Sequence, residues 1–332
     1  MIKPELVCPA GTPAALRTAV DAGADSVYCG FQNATNARNF AGLNFTVNEM
    51  ESSIEYAHSR GAKVLLAINT FPPAGETGLW KNAIDEGIRL GVDAIIIADM
   101  GVADYIYKMY PDQRIHLSVQ AGASSPDAIK FYCREFNVRR VVLPRILTIE
   151  EIRALKDEIP CEIEVFVFGN IGMMAEGRCS LTNYITGLST NTDGVCSPAG
   201  QVDYRESDPG TLKISLGSFT IDCFDCNESA GYPTICKGRY LTDSKNSPYY
   251  AFEKPVSLNL SHLLEELVHA GVSALKIEGR QRSRAYIKSV VKSFRSAVDA
   301  CVTGKQPKLD HLLALTEGHT QTAGAFGGKR WR

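Results

Sequence analysis

The chain has 332 residues, 45% hydrophobic and 22% charged, the proportions of a globular protein with one large domain or two ordinary ones. A balance of 35 Lys and Arg against 37 Asp and Glu leaves a formal charge of −2, which excludes a wholesale electrostatic footprint for nucleic acid or an anionic membrane and leaves room only for a local basic pocket. No apolar run approaches the roughly 18 residues of a membrane span, and "MIKPELVCPAG" lacks the features of a secretory signal, so a soluble cytoplasmic protein is expected.

Along the chain one unit recurs: a short apolar run, a polar or glycine-containing turn, then an amphipathic helix. The runs are "ELVCPA" (5–10), "DSVYCG" (25–30), "KVLLAIN" (63–69), "DAIIIAD" (93–99), "RIHLSVQ" (114–120), "RRVVLPR" (139–145), "EIEVFVFG" (162–169) and "SALKIEG" (273–279). Several are apolar on both faces, as parallel strands covered on each side must be. The helices between them carry their own boundaries. Ser125 and Pro126 open one as N-cap and first-turn proline. Thr148 and Glu151 form a capping box at the start of another. Eight β-then-α units in about 300 residues predict an α/β protein, a (β/α)8 TIM-like barrel, with an open doubly wound sheet as the alternative.

Between the seventh and eighth strands the rhythm breaks. Residues 170–256 are rich in Gly, Ser, Thr and Asn, show little helical period, and read as a functional insertion. After the last long helix, "RSRAYIKSVVKSFRSAVDACV", a polar tail is expected to close the barrel base or to meet a partner.

Chemistry in such a barrel sits where the strands end. The polar residues there include Asn69, Gln120, Arg145 and Glu278-Gly279-Arg280, with Arg38 and Asn44 in the loop after the second strand and Arg282 after the eighth. Arginine's planar fork suits carboxylates, so Arg38, Asn44, Asn69, Gln120, Arg145 and Arg282 are candidate binders of an anionic small molecule. Glu176, Glu278 and Arg280 are the candidate catalytic residues, the two acids for proton transfer. A salt-bridged structural role is the alternative, above all for Glu176.

Ten cysteines in a cytosolic chain do not read as disulfides, and five of them fall between 179 and 236. Cys179, Cys196 and Cys236 sit in the frames "AEGRCSL", "GVCSPAG" and "TICKGRY", two of them beside Gly-Arg. Glycine-rich turns and guanidinium donors offset the negative charge of metal-bound thiolates. Their spacings are too long for a zinc finger, and Cys223-x-x-Cys226 alone is a weak knuckle. Structural zinc, iron–sulfur and plain loop cysteines all remain open from these residues alone.

From end to end the sequence resembles the collagenase-like peptidase family U-32, and within it the ubiquinone-biosynthesis branch. The resemblance rests on "LVCPAGTPAALRTAVDAGADSVYCG", "TNARNFAGLNF", "AINTF", "LSVQAGAS", "RVVLPR", "EVFVFG", "AEGRC", "SPA", "AGYPTICKGRY" and "KIEGRQRS", in order and at family-like spacing. It implies a 4Fe-4S cluster on four cysteines, of which Cys179, Cys196 and Cys236 match three. The fourth family position, seven residues before Cys179, is Gly172 here. A 3Fe-4S cluster, a cubane with one open iron, completion by Cys223 or Cys226, and loss of the cluster are the consequences this leaves open. The implied domains are 1–169 for the first seven strands, 170–256 for the cluster-binding insertion, 257–304 for the closing βα unit and 305–332 for the tail.

The resemblance further implies oxygen-independent hydroxylation of ubiquinone precursors, in a heterodimer with a UbiV-like protein of the same family and with prephenate as oxygen donor. Three rivals accompany it. Relatives in the family hydroxylate tRNA or rRNA bases, a reading that the balanced charge weighs against. The family's name implies a peptidase, but no H-E-x-x-H occurs and the six histidines are scattered. A non-catalytic partner subunit is the last.

Overall fold

The computed structural model describes residues 3–328 apart from 173, 209, 229, 243–244 and 304–308. Each apolar run becomes a barrel strand: β1 (Glu5–Pro9), β2 (Ser26–Cys29), β3 (Lys63–Ile68), β4 (Ala94–Ile97), β5 (Ile115–Leu117), β6 (Val138–Val142), β7 (Glu162–Asn170) and, after a long excursion, β14 (Ala274–Ile277). Neighbours pair in parallel, and β14 pairs with both β1 and β7, so the sheet closes on itself. The helices α1 (Pro13–Asp21), α2 (Val47–His58), α3 (Gly78–Arg89), α4 (Met100–Met109), α5 (Pro126–Phe136) and α6 (Ile149–Glu158) alternate with the first seven strands, and α9 (Arg284–Thr303) follows β14. This is the (β/α)8 barrel that the periodicity predicts.

The strands form where they do because both faces are buried. Alternate residues such as Leu6, Leu66, Ile95 and Ile97 pack outward under the helices, each fully buried and contributing about 1.5–3 kcal/mol. The others turn inward, where Val7, Tyr28, Leu65, Ala94, Ile96 and Ala274 make a small interior layer. The helix boundaries obey their sequence signals. Ser125 caps α5 by accepting from the Ala128 amide, and Thr148 and Glu151 close the capping box of α6.

The chain between β7 and β14 has more structure than its composition announces. The short helix α7 (Leu181–Thr186) leads to an antiparallel sheet of β8 (Val202–Asp208), β9 (Thr211–Leu216) and β10 (Phe219–Asp225), followed by a hairpin of β11 (Arg239–Thr242) and β12 (Lys245–Tyr250). The chain returns through β13 (Ser257–Asn259), antiparallel to the end of β7, and α8 (Leu264–His269). In β9 only Ile214 and Leu216 are buried, so these strands present almost no alternation to read.

Of the tail, 305–308 and 329–332 lie outside the described residues. Of the rest, 310–315 lies along α9, where Ser293 Oγ and His311 Nε2 share a hydrogen bond, and the segment after it packs beside the C-terminal end of β7. There β15 (Gln321–Thr322) runs parallel to β13, and Gly324 closes on Ile171. Among the described residues no helix is long and apolar enough to cross a membrane.

Candidate active site

The C-terminal ends of the strands surround a cavity of about 70 Å³, room for a handful of waters or one small polar group. Its centre is a shared carboxylate. Glu278, at the end of β14, accepts from Arg38 Nη2 at 2.7 Å through Oε1 and from Arg145 Nη2 at 2.6 Å through Oε2. Arg145, beyond β6, also donates to Glu176 Oε1 at 2.7 Å and lies over the Phe166 ring at 3.8 Å. Burial alone would raise the pKa of Glu278, but Arg145 and Arg38 outweigh it and hold the carboxyl below its ordinary value. Glu278 is therefore ionised at neutral pH: a base or an electrostatic anchor, not a proton donor.

Two glycines let the loops converge on this point. Gly169 (φ +128°) is the last residue but one of β7, where an added Cβ would lie 2.6 Å from the Glu278 Cβ. Gly177 (φ +72°) presses the segment carrying Glu176 and Cys179 against the Gln120 carbonyl, 2.0 Å from where a Cβ would stand. Neither position admits a side chain.

Arg280 is the unusual member. It is only 6% exposed, donates through Nη1 to Asn36 Oδ1 at 3.2 Å, and its Nε has no partner. Burial, reinforced by the repulsion of Arg38, pushes its pKa down to about 10. Lys276, one turn of the strand deeper, donates to Glu164 Oε1 at 2.6 Å and stands 4.1 Å from the centroid of the Tyr28 ring. Burial is the main reason its pKa is lowered. Four cations thus line the cavity (Arg38, Arg145, Lys276 and Arg280) against the carboxylates of Glu176 and Glu278. With Glu164 serving Lys276 from below, the surplus charge sits on Arg280. Such a site draws a small anion.

Seven of the nine catalytic and binding candidates read from sequence line the cavity: Glu176, Glu278, Arg280, Arg38, Asn69, Gln120 and Arg145. Asn69 works as a brace, donating to Ser118 Oγ and accepting the Ala37 amide. The other two do not line it. Asn44 is buried behind the loop, with a positive φ of 75°, and donates its amide to the Arg38 carbonyl. Arg282 is exposed and pairs with Glu317 at 2.8 Å. The sequence reading missed Tyr28, Ser118, Phe166 and Lys276, which also line the cavity. Lys276 left one clue, a lone charge inside the apolar run "SALKI".

The cysteine segments meet beside this mouth. The Cys179 carbonyl accepts from Asn191 Nδ2 at 2.9 Å, and the Cys196 carbonyl from Thr182 Oγ1 at 2.8 Å. The Tyr232 hydroxyl donates to the Ser197 carbonyl at 2.6 Å, and the Ser197 hydroxyl donates to Pro233, tying the Cys196 and Cys236 segments together. Burial raises the thiol pKa of Cys196 and of Cys236. Arg38 opposes the rise at Cys196, while Cys179 adds to it, as Cys196 adds to the rise at Cys236. Among the described residues no three Cys, His, Asp or Glu side chains are close enough together to hold a single metal ion.

An iron–sulfur cluster is a wider body than a single ion, and Cys179, Cys196 and Cys236 are the thiolates here that would hold one, one short of the usual four. At Gly172 an added Cβ meets nothing within 4 Å, so the backbone there has room for a side chain. Cys223 and Cys226 are exposed, at the end of β10 and in the turn beyond it.

The sequence pattern of peptidase family U32 matches residues 11–328. The chain belongs to that family. Its relatives include the tRNA hydroxylation protein P of Escherichia coli, 31% identical over 96% of this chain and 72% of its own length. The protein of the same name in Helicobacter pylori is 33% identical over 89% of this chain and 64% of its own, so the chain spans about two thirds of these relatives. The 23S rRNA 5-hydroxycytidine synthase of Escherichia coli is 27% identical over 90% of this chain and 40% of its own length. These names describe hydroxylation of RNA, where the motifs had pointed first to ubiquinone precursors.

Proposed function

We propose that the chain is an oxygen-independent hydroxylase acting on an RNA base, with an iron–sulfur centre on Cys179, Cys196 and Cys236. The observation that carries this reading is the guanidinium-lined cavity beside three cysteine segments, in a family whose relatives are named for tRNA and rRNA hydroxylation. The cavity, about 70 Å³, has room for one small polar group and not for a nucleic-acid backbone. Its surplus cation Arg280, with Arg145 and Arg38, suits the carboxylate of a small oxygen donor, for which prephenate is our candidate. Glu278 holds the two outer arginines in register until the donor arrives. As an ionised carboxylate it is also the group placed to accept a proton there. When bound, an iron–sulfur centre would supply one-electron chemistry.

The test is expression of the chain in a host stripped of its own RNA hydroxylases, followed by mass spectrometry of tRNA and rRNA nucleosides. A nucleoside heavier by one oxygen atom supports the proposal, and an unchanged profile from iron-loaded protein defeats it. A second reading, hydroxylation of ubiquinone precursors with a UbiV-like partner, is favoured by one observation: a net charge of −2 offers RNA no broad attraction. Quinone profiling of the same cells, with and without that partner, separates the two.

A further inference from the structure

We infer that Arg38 couples the barrel cavity electrostatically to the cysteine centre, so that the charge held in the cavity sets how readily a cluster on Cys179, Cys196 and Cys236 is reduced. The inference rests on the iron–sulfur reading above and concerns what this chain's own residues do to that centre.

Arg38 lies in the loop between β2 and α2. Its Nη2 grips Glu278 Oε1 at 2.7 Å, and its Nη1 folds back on the Ala37 carbonyl at 2.7 Å, which fixes the guanidinium at the cavity rim. The next residue ties the same loop to the cysteine segment. The Asn39 amide donates to the Gly194 carbonyl at 3.1 Å, and Asn39 Nδ2 to the Asp193 carbonyl at 3.4 Å. Gly194 approaches so closely that an added Cβ would lie 2.1 Å from the Asn36 carbonyl oxygen. Cys196 follows two residues later, so the loop that carries Arg38 is pinned against the segment that carries this cysteine. Arg38 therefore grips the Glu278 carboxylate from a loop that is fastened to the segment carrying Cys196.

The electrostatics follow. A cluster that gains an electron becomes more negative, so a nearby cation favours the reduced form and a nearby anion opposes it. An anion that enters beside Arg38 without displacing Glu278 makes reduction harder, and one that takes the place of Glu278 leaves the balance unchanged.

The experiment measures the midpoint potential of the anaerobically reconstituted centre by spectroelectrochemistry. Four proteins are compared: wild type, Arg38→Gln, Arg38→Lys and Glu278→Gln, with the exposed Arg89→Gln on α3 as a remote control. Arg38→Gln is expected to lower the potential by at least a tenfold change in the reduction equilibrium, about 59 mV for one electron. Arg38→Lys should hold it near the wild-type value, and Glu278→Gln should raise it, a sign that misfolding would not produce. If all variants bind a full cluster and their potentials agree with wild type and the control, the coupling is refuted. Should wild type itself bind no iron, the iron–sulfur reading fails first and independently. Should Arg38→Gln alone lose its cluster, the upward shift in Glu278→Gln decides.

Discussion

At the scale of single residues, the site is built against the protein's own stability. Arg280 is buried with an amide as its partner and an orphaned Nε, a charge held out of water without a carboxylate to compensate it. An apolar replacement removes that cost, so Arg280→Met should raise the stability of the ligand-free protein by about 1–2 kcal/mol. The same change should abolish binding of a small carboxylate such as pyruvate. Calorimetric melting and titration of one preparation check both halves, and a variant that loses stability shows Arg280 to be structural. Gly172 carries the converse prediction. Its surroundings are open to a Cβ, so Gly172→Cys should fold normally, raise iron per chain on anaerobic reconstitution and slow the loss of visible absorption in air. The strand-end arginines were legible in the sequence because a charge closing an apolar run has few structural excuses. Asn44 and Arg282 fall outside the cavity lining because position along a loop does not fix where a side chain points. Lys276 and Tyr28 were hidden inside runs that looked apolar on both faces, since such a run does not say which residues turn into the barrel.

At the scale of elements, the eight strands and their helices could be read because each rests on burial and on local caps that operate within a few residues. The small sheets of the excursion could not. β9 and β10 bury two side chains each and the described residues of β8, β11 and β12 none, and their pairing is decided by hairpin contacts that leave no periodic trace. What positions the cysteine loops is instead backbone approach, and Gly177 is its tightest point. Gly177→Ala places a Cβ against the Gln120 carbonyl and forces alanine into left-handed backbone, at a cost of about 1–3 kcal/mol. The barrel should survive with its far-ultraviolet circular dichroism intact, while iron loading falls sharply because the segment carrying Glu176 and Cys179 must move. Unchanged iron content would mean that the loop is placed by something other than this contact.

At the scale of the whole molecule, the barrel is held shut from inside by charge as well as by apolar packing. Arg140 on β6 reaches Glu5 on β1 at 2.5 Å, Glu162 at 2.6 Å and Glu164 at 3.2 Å on β7, and Glu164 passes the network on to Lys276 on β14 at 2.6 Å. One guanidinium, 4% exposed, thereby joins strands across the interior at the end away from the cavity. Removing it leaves buried carboxylates without their cation, so Arg140→Gln should cost about 3–5 kcal/mol at pH 7. The pH dependence identifies the cause. Burial would raise the pKa of Glu5 and of Glu162, but Arg140 prevails and holds Glu5 below its ordinary value, as Arg114 and Arg140 together do for Glu162. Carboxyls depressed on folding add stability above their unfolded pKa, near 4.5, and that stability is lost as the pH falls through their folded values. Urea denaturation followed from pH 7 down to 3 should therefore show wild type losing stability faster than Arg140→Gln, with the two curves converging in acid. A constant gap across that range would assign the cost to lost packing of the arginine stem and not to the charges it holds together.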